Sequence, residues 1–182
     1  MRPRIGLLLL VLLASAMTAC GPGEVTTTTP PPPPTTPTPT PSPQWTPEEQ
    51  GSIDAVQRYL EVWTDIGHDP AHKGMGQIRD VAGDPIANEN TDQWTGWIEN
   101  GWHLTGGPSF TPELVTSGAG DYQGQRYHVR GCYSIEEAQL VDTQGKPATN
   151  PSRTRTLSTY DVLHLKNGRY VVFDSTDQEK TC

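Results

Sequence analysis

Two histidines four residues apart, His68 and His72, are the residues whose types and spacing could bind a metal ion. On one face of a helix such a pair can ligate zinc. Pro70 lies between them and is expected to open a helix, which leaves His68 outside that helix. A zinc site also needs three or four ligands, and this segment supplies two. The sequence therefore predicts no metal site and no cofactor.

The first 19 residues have the three parts of an export signal. Arg2 and Arg4 precede an apolar run over residues 5–13, and small residues follow that run. The run is much shorter than the roughly 20 residues that a membrane-spanning helix needs. A permanent transmembrane anchor is therefore disfavoured, and we expect residues 1–19 to be a signal peptide that is removed.

Cys20 ends this signal, in the run Met17-Thr-Ala-Cys. The run resembles the bacterial lipobox, whose cysteine receives diacylglycerol and becomes the mature N-terminus. Each buried methylene contributes about 0.8 kcal/mol, so two acyl chains hold a protein durably on a bilayer. We expect Cys20 to be lipidated and the chain to lie on the extracytoplasmic face of the cell membrane. The alternative is an ordinary signal cut after Ala19, which leaves Cys20 as a thiol.

Cys132 and Cys182 remain as an even pair once Cys20 carries lipid. Export places both thiols in an oxidising compartment, where they pair if their geometry allows. Cys132 falls within a predicted strand, and Cys182 follows a few positions after the last predicted strand. The sequence thus predicts a disulfide between them. The alternative is a buried thiol at Cys132 and a disordered end at Cys182.

Residues 20–44 form a low-complexity segment of Thr and Pro, with an unbroken proline run at 30–34. Proline removes amide donors and fixes φ, so the segment is expected to be an extended polyproline II chain of about 3.1 Å per residue. We interpret it as a disordered tether that holds a single domain, residues 45–182, away from the membrane. Recognition by proline-binding modules is less favoured because no basic residue flanks the prolines.

The charge of the chain restricts its partners. Removal of residues 1–19 takes away Arg2 and Arg4 and no acidic residue, so the mature chain has 11 basic and 21 acidic residues and a net charge of −10. Such a chain repels nucleic acid and an anionic membrane surface. We therefore expect no nucleic-acid partner, and contact with the lipid bilayer through the acyl anchor alone. A glycine-rich phosphate loop, a Gly-x-Ser-x-Gly elbow and a Cys-x-x-Cys pair are absent from the sequence.

The domain begins with three predicted helices. Thr46, Pro47 and Glu49 supply an N-cap, a first-turn proline and a capping box. An apolar face follows at helical spacing, and Gly67 is expected at the C-cap; the residues of this face are Ile53, Val56, Tyr59, Leu60 and Trp63. A weaker helix is predicted from Asp69 to Gly83, and a third spans Glu89 to Trp102.

From Glu113 onward the hydrophobic period is near two, which is typical of strands. The predicted strands cover residues 114–116, 127–133, 138–142, 154–166 and 169–174. Asn167-Gly168 lies between the last two and is a strong hairpin signal, so these strands should be antiparallel neighbours. Helices followed by antiparallel strands predict an α+β fold, with the helices packed on one face of the sheet.

Several of these motifs together resemble one superfamily: the capped first helix, Trp63, Cys132, the run 141–147, Arg155 and the run 167–172. The domain resembles the nuclear-transport-factor-2-like (cone-shaped, steroid-isomerase-like) superfamily, as it occurs in lipoproteins of high-GC Gram-positive bacteria and their phages. The resemblance covers most of residues 45–182. It implies a cavity between the helices and the sheet, for which Tyr59, Trp63 and Trp97 are the candidate lining residues.

In enzymes of this superfamily a carboxylate or histidine base and a tyrosine or acid face each other in the cavity, where burial shifts their pKa. The candidates in this chain are Asp65, His68, His103, Tyr59 and Asp161. None lies in a motif that fixes its role, so no catalytic residue is predicted. Two functions stay open. We favour a non-catalytic module of the cell envelope that binds a small ligand or an envelope protein, and the alternative is a small cavity enzyme of isomerase or dehydratase type.

Overall fold

A computed structural model of the chain describes residues 44–120, 123–149 and 154–182. The predicted signal peptide, the lipidation site Cys20 and the tether as far as residue 43 lie outside the described residues. The elements in chain order are α1 (Pro47–His68), a 3-10 helix (Met75–Asp80), α2 (Asp84–Asn100), β1 (His103–Thr105), β2 (Ser109–Ser117), β3 (Gly124–Ser134), β4 (Gln139–Val141), β5 (Arg155–Leu165) and β6 (Tyr170–Asp177). This order confirms the predicted α+β fold.

The strands form two antiparallel sheets. The larger sheet has four strands in the order β2-β3-β5-β6, and β1 pairs with β4 in a second sheet. The predicted hairpin joins β5 to β6, and Gly168 in its turn has a φ of 82°, which favours glycine. Register shifts after Pro112 in β2 and after Asp161 in β5 mark irregularities of the kind that bend strands, consistent with the curvature of the sheet.

Helix α1 begins as its sequence predicts. The Thr46 hydroxyl accepts a hydrogen bond from the Glu49 amide at 3.3 Å, and the Glu49 carboxylate accepts one from the Thr46 amide at 2.8 Å. The two contacts satisfy amides that the helix itself leaves without partners. Gly67 was expected at the C-cap, but the helix continues through His68 and the capping position is Asp69.

The next two helices differ from their predicted bounds. The helix expected from Asp69 to Gly83 is reduced to a turn and the short 3-10 helix, because Gly74 and Gly76 lower helix propensity in its middle. Helix α2 starts at Asp84 rather than Glu89, since Gly83 stands at the N-cap and a proline occupies the first turn. It ends at Asn100, where Gly101 takes a left-handed φ of 66°.

The core lies between the two α-helices and one face of the larger sheet. Among the buried side chains, those of the helices are Ile53, Val56, Tyr59, Leu60, Ile66, Ile86, Ala87, Trp94 and Trp97, and those of the sheet are Val115, Val129, Tyr160, Val162 and Val172. The strand residues of this set alternate with residues on the opposite, outward face. The sheet β1–β4 lies beside this core and contributes Leu104 and Val141.

Cys132 of β3 and Cys182 form a disulfide, with their Cα atoms 5.7 Å apart. This pairing agrees with the one that the sequence predicts. Two backbone hydrogen bonds also hold the C-terminal segment on β5, from the Gln178 amide to the Leu157 carbonyl and from the Leu157 amide to the Lys180 carbonyl. The disulfide therefore fastens a segment that is already hydrogen-bonded to the start of β5.

Candidate ligand-binding cleft

A cleft of about 750 Å³ opens between α1, α2, the end of β3 and the β1–β4 sheet. Its aromatic lining comes from three of these regions: Trp63 of α1, Trp97 of α2 with Trp102 just after it, and Tyr133 of β3. The volume is in the range of small-molecule sites. We call this space the tryptophan cleft.

Two of the three residues expected to line a cavity, Trp63 and Trp97, do line the tryptophan cleft. Their rings are 5.7 Å apart between centroids and inclined at 81°, an edge-to-face contact. This arrangement is a favoured one for aromatic pairs because the positive edge of one ring meets the negative face of the other. The two indole planes thus stand almost at a right angle near the C-terminal ends of α1 and α2.

The wall opposite the helices is the β1–β4 sheet, where Leu104 stands opposite Leu140 and Thr105 opposite Gln139. At its end the carbonyl of Gly106 is hydrogen-bonded to Nε2 of His68 at 2.6 Å. Because His68 is the last residue of α1, this contact fixes the wall to the helix that carries Trp63. His68 therefore positions the cleft without lining it.

The rim of the tryptophan cleft is acidic. Glu136 and Glu137 lie in the turn between β3 and β4, exposed to solvent, and that turn is closed by a hydrogen bond of 3.1 Å from the Ala138 amide to the Ile135 carbonyl. The rest of the polar lining is neutral: Gln93, Thr105, Gln139, Thr149 and Thr154. Over the described part of the chain, the lining contains no Lys, Arg or His.

The third expected residue, Tyr59, lies in the core and not in the lining of the tryptophan cleft. Its hydroxyl accepts a hydrogen bond of 2.9 Å from Nδ2 of Asn90. Burial raises the pKa of Tyr59 to about 12, and burial likewise raises the pKa of Tyr133 and of Tyr160. These phenols stay protonated at neutral pH, so they serve as packing and hydrogen-bonding groups.

Asp65 and His68 come together in a separate, shallower groove of about 470 Å³ between α1 and the segment that joins β1 to β2. Glu61 also lines this groove, which we call the α1 groove. Each of the two candidate groups already has a partner, because Lys73 Nζ lies 2.9 Å from the Asp65 carboxylate and His68 is bonded to Gly106. The α1 groove thus brings the two groups near each other but leaves neither of them free.

The remaining two candidates lie outside the α1 groove. His103 is in β1, opposite Val141, and together with His68 it lines a further groove beside the end of α2. Asp161 is on the outward face of the larger sheet, since it alternates with the buried Tyr160 and Val162, and its carboxylate is 2.6 Å from Nδ1 of His128. The five residues considered as acids or bases are therefore divided among the core, two sheets and the α1 groove.

The His68–His72 pair does not form a metal site. Nε2 of His68 is directed at Gly106, and Nδ1 of His72 is 2.7 Å from the Asp69 carboxylate. Among the described residues no group of three or more His, Cys, Asp and Glu is placed to hold a metal ion. None of the helices in the described ranges combines the length and the apolar character that crossing a membrane requires.

No protein-family model matches the chain, and no curated protein matches it in sequence. Solved structures do match. The intermembrane space region of the chloroplast protein ARC6 superposes with a TM-score of 0.50 at 10% identity, over 76% of this chain and 100% of that one. At that identity the likeness shows a shared fold alone. The iota-carbonic anhydrase from a cyanobacterium, complexed with bicarbonate, superposes with a TM-score of 0.40 at 12% identity. That superposition covers 77% of this chain and 96% of the anhydrase, and a TM-score this low carries no argument about this chain.

Proposed function

We propose that this chain is a membrane-anchored lipoprotein whose extracytoplasmic domain, residues 45–182, is a non-catalytic module that binds a small ligand in the tryptophan cleft. The signal and Cys20 in the sequence support the anchor. The α+β architecture, with helices on one face of a curved antiparallel sheet, supports a cone-like domain of the nuclear-transport-factor-2-like kind.

The observation that carries the binding proposal is the aromatic lining of the cleft. Three tryptophans and Tyr133, drawn from separate elements, face one space of about 750 Å³, beside a few neutral amides and hydroxyls. Ligand sites combine aromatic and apolar walls with polar groups that orient the ligand, and this cleft has both kinds of lining. A non-catalytic role is supported by the positions of Asp65, His68, His103 and Asp161, none of which lines the tryptophan cleft.

A thermal-shift screen against a library of cell-envelope metabolites tests this proposal. We expect at least one compound to raise the melting temperature of the wild-type chain, because a ligand that binds only the folded state stabilises it. The shift should disappear in Trp102→Ala and persist in Leu114→Ala, which removes an exposed apolar side chain of β2 outside the cleft. A shift that survives Trp102→Ala would place the ligand elsewhere.

The alternative, a small cavity enzyme of isomerase or dehydratase type, has its best location in the α1 groove, where Asp65 and His68 are close. A base there would first have to leave Lys73 or Gly106. Asp65→Asn should leave the ligand-induced shift unchanged if the tryptophan cleft is the site. Loss of the shift in Asp65→Asn, with the fold intact by circular dichroism, would favour the α1 groove.

A further inference from the structure

We propose that the tryptophan cleft selects a small organic cation of the quaternary ammonium class. This inference rests on the proposed function, because it names the chemical class of the ligand for that same cleft. Its basis is the presence of aromatic rings and an acidic rim in one space. Neither feature alone would identify a ligand.

The aromatic lining suits a cation that has no N–H groups. Trp63, Trp97, Trp102 and Tyr133 border the same space, and the first two stand at 81° to each other. The face of an aromatic ring carries negative potential, and tryptophan attracts a cation most strongly. Rings at right angles can contact a tetrahedral trialkylammonium group on more than one side, as in aromatic cages for choline and methyl-lysine.

Tyr133 adds a neutral ring to this lining. Burial is the main cause of its raised pKa, so its hydroxyl remains protonated at neutral pH. The ring therefore contributes an aromatic surface without a fixed charge. Among the described lining residues, negative charge is found at the rim, on Glu136 and Glu137. Both carboxylates are exposed to solvent, so their charged form has no desolvation cost in the absence of a ligand.

The two rim carboxylates, together with the acidity of the chain as a whole, favour a positively charged ligand. Carboxylates at a mouth with low-dielectric walls raise the local concentration of cations. A quaternary ammonium also fits the inner wall better than a primary amine does, because it requires no hydrogen-bond acceptor from the indole rings.

The competing ligand class is a neutral molecule, such as a sugar, that only packs on the tryptophans. The test compares choline with its neutral carbon analogue, in which a quaternary carbon replaces the nitrogen and the shape is the same. Both are titrated into the full chain carrying Cys20→Ala, so that no acyl chain is present. The indole N–H signals of Trp63, Trp97 and Trp102 are followed by NMR, with Trp94, buried outside the cleft lining, as an internal reference.

We expect choline to shift the signals of the three cleft tryptophans and the neutral analogue to bind about tenfold more weakly, since only choline gains the cation–π attraction. The double variant Glu136→Gln, Glu137→Gln should weaken choline several-fold and leave the analogue unchanged. The matched control is Glu99→Gln, Glu113→Gln, which removes two exposed carboxylates outside the cleft and should leave choline binding as it is.

The outcomes separate this inference from the proposed function. Equal binding of choline and its analogue, both lost in Trp102→Ala, would overturn the cation inference and keep the cleft as a ligand site. Binding of both that survives Trp102→Ala would count against both proposals. No shift with either compound would overturn the inference, and the metabolite screen would then decide the proposed function.

The same headgroup occurs in soluble glycerophosphocholine and in phosphatidylcholine vesicles. Co-sedimentation of the chain with the vesicles would indicate a lipid ligand, and binding of glycerophosphocholine without co-sedimentation would indicate a free ligand.

Discussion

At the scale of single residues, three buried phenols make the fold sensitive to high pH. The pKa of Tyr59 is raised to about 12, and burial raises those of Tyr133 and Tyr160 above their ordinary value of 10.0 as well. Because each folded-state pKa exceeds that of the unfolded chain, the stabilisation from all three is complete below pH 10. The contribution of Tyr59 is lost as the pH rises from about 10 through about 12, and those of Tyr133 and Tyr160 are lost as the pH rises further, through their own raised pKa values.

This predicts that tyrosinate absorbance and the loss of circular dichroism will rise together in one alkaline transition. In Tyr59→Phe the dependence of the free energy of unfolding on pH should be shallower above pH 10, because one of the three phenols is removed. The measurement is urea denaturation at several pH values. A gradual tyrosinate signal from all six tyrosines while the chain keeps its native circular dichroism would contradict the prediction.

The proposed lipid anchor makes membrane attachment depend on Cys20. Cys20→Ala should abolish lipidation and release the chain from the membrane, because the acyl chains supply most of the affinity for the bilayer. Detergent phase partitioning measures this directly, and Cys182→Ser is the control that removes a different cysteine. If the Cys20→Ala chain still enters the detergent phase, some other segment anchors it.

At the scale of elements, the closure of the tryptophan cleft depends on Gly106. This residue has a φ of 66°, and a Cβ placed on it would overlap the carbonyl of Glu137 in the facing turn. Gly106→Ala should therefore separate the β1–β2 loop from the acidic rim and cost about 2 kcal/mol or more in the free energy of unfolding.

Gly145→Ala is the matched control, because Gly145 has a φ of 76° and no atom within 4 Å of such a Cβ. It should cost only the left-handed backbone penalty of roughly 1 kcal/mol. Chemical denaturation of the two variants gives the comparison. Equal losses in both would mean that the turn at Glu137 moves aside for the added methyl group at no cost in stability.

The elements that could be predicted are those that local sequence determines. The capping box of α1 and the Asn-Gly hairpin between β5 and β6 are each specified within a few residues, and both are present. The strand β1, with three residues, has no such signal. It forms because Leu104 pairs with Leu140, a residue far away in the sequence. Such a long-range pairing leaves no local sequence pattern from which the strand could be predicted.

The residues of the tryptophan cleft could likewise be predicted only in part. Trp63 and Trp97 belong to apolar helical faces, so their inward position could be inferred, and the same reasoning selected Tyr59, which lies in the core instead. Glu136 and Glu137 were not foreseen, because their proximity to the tryptophans depends on the pairing of β4 with β1. An acidic pair in a turn is also a common surface feature. It suggests a ligand site here because the aromatic rings of the tryptophan cleft lie beside it.

At the scale of the whole molecule, the disulfide closes the chain over 50 residues. Cys182→Ser should lower the free energy of unfolding by about 4 kcal/mol according to loop entropy, a large share of the stability of a small domain. Urea denaturation measures the loss. Intact mass after alkylation, with and without reduction, gives the control: two alkylated cysteines among Cys132 and Cys182 in the native, unreduced chain would mean that no bridge forms.

The last prediction concerns where the folded domain begins. Trp45 packs against the core just before α1 starts, whereas the preceding Thr/Pro segment has no apolar face to contribute. Removal of residues 1–44 should therefore leave cooperative unfolding and the melting temperature nearly unchanged. Trp45→Ala in that shortened chain should cost about 1–2 kcal/mol, since the indole is only partly buried. Melting followed by circular dichroism compares the two. If the removal of residues 1–44 costs as much as Trp45→Ala, part of the tether must itself pack on the domain.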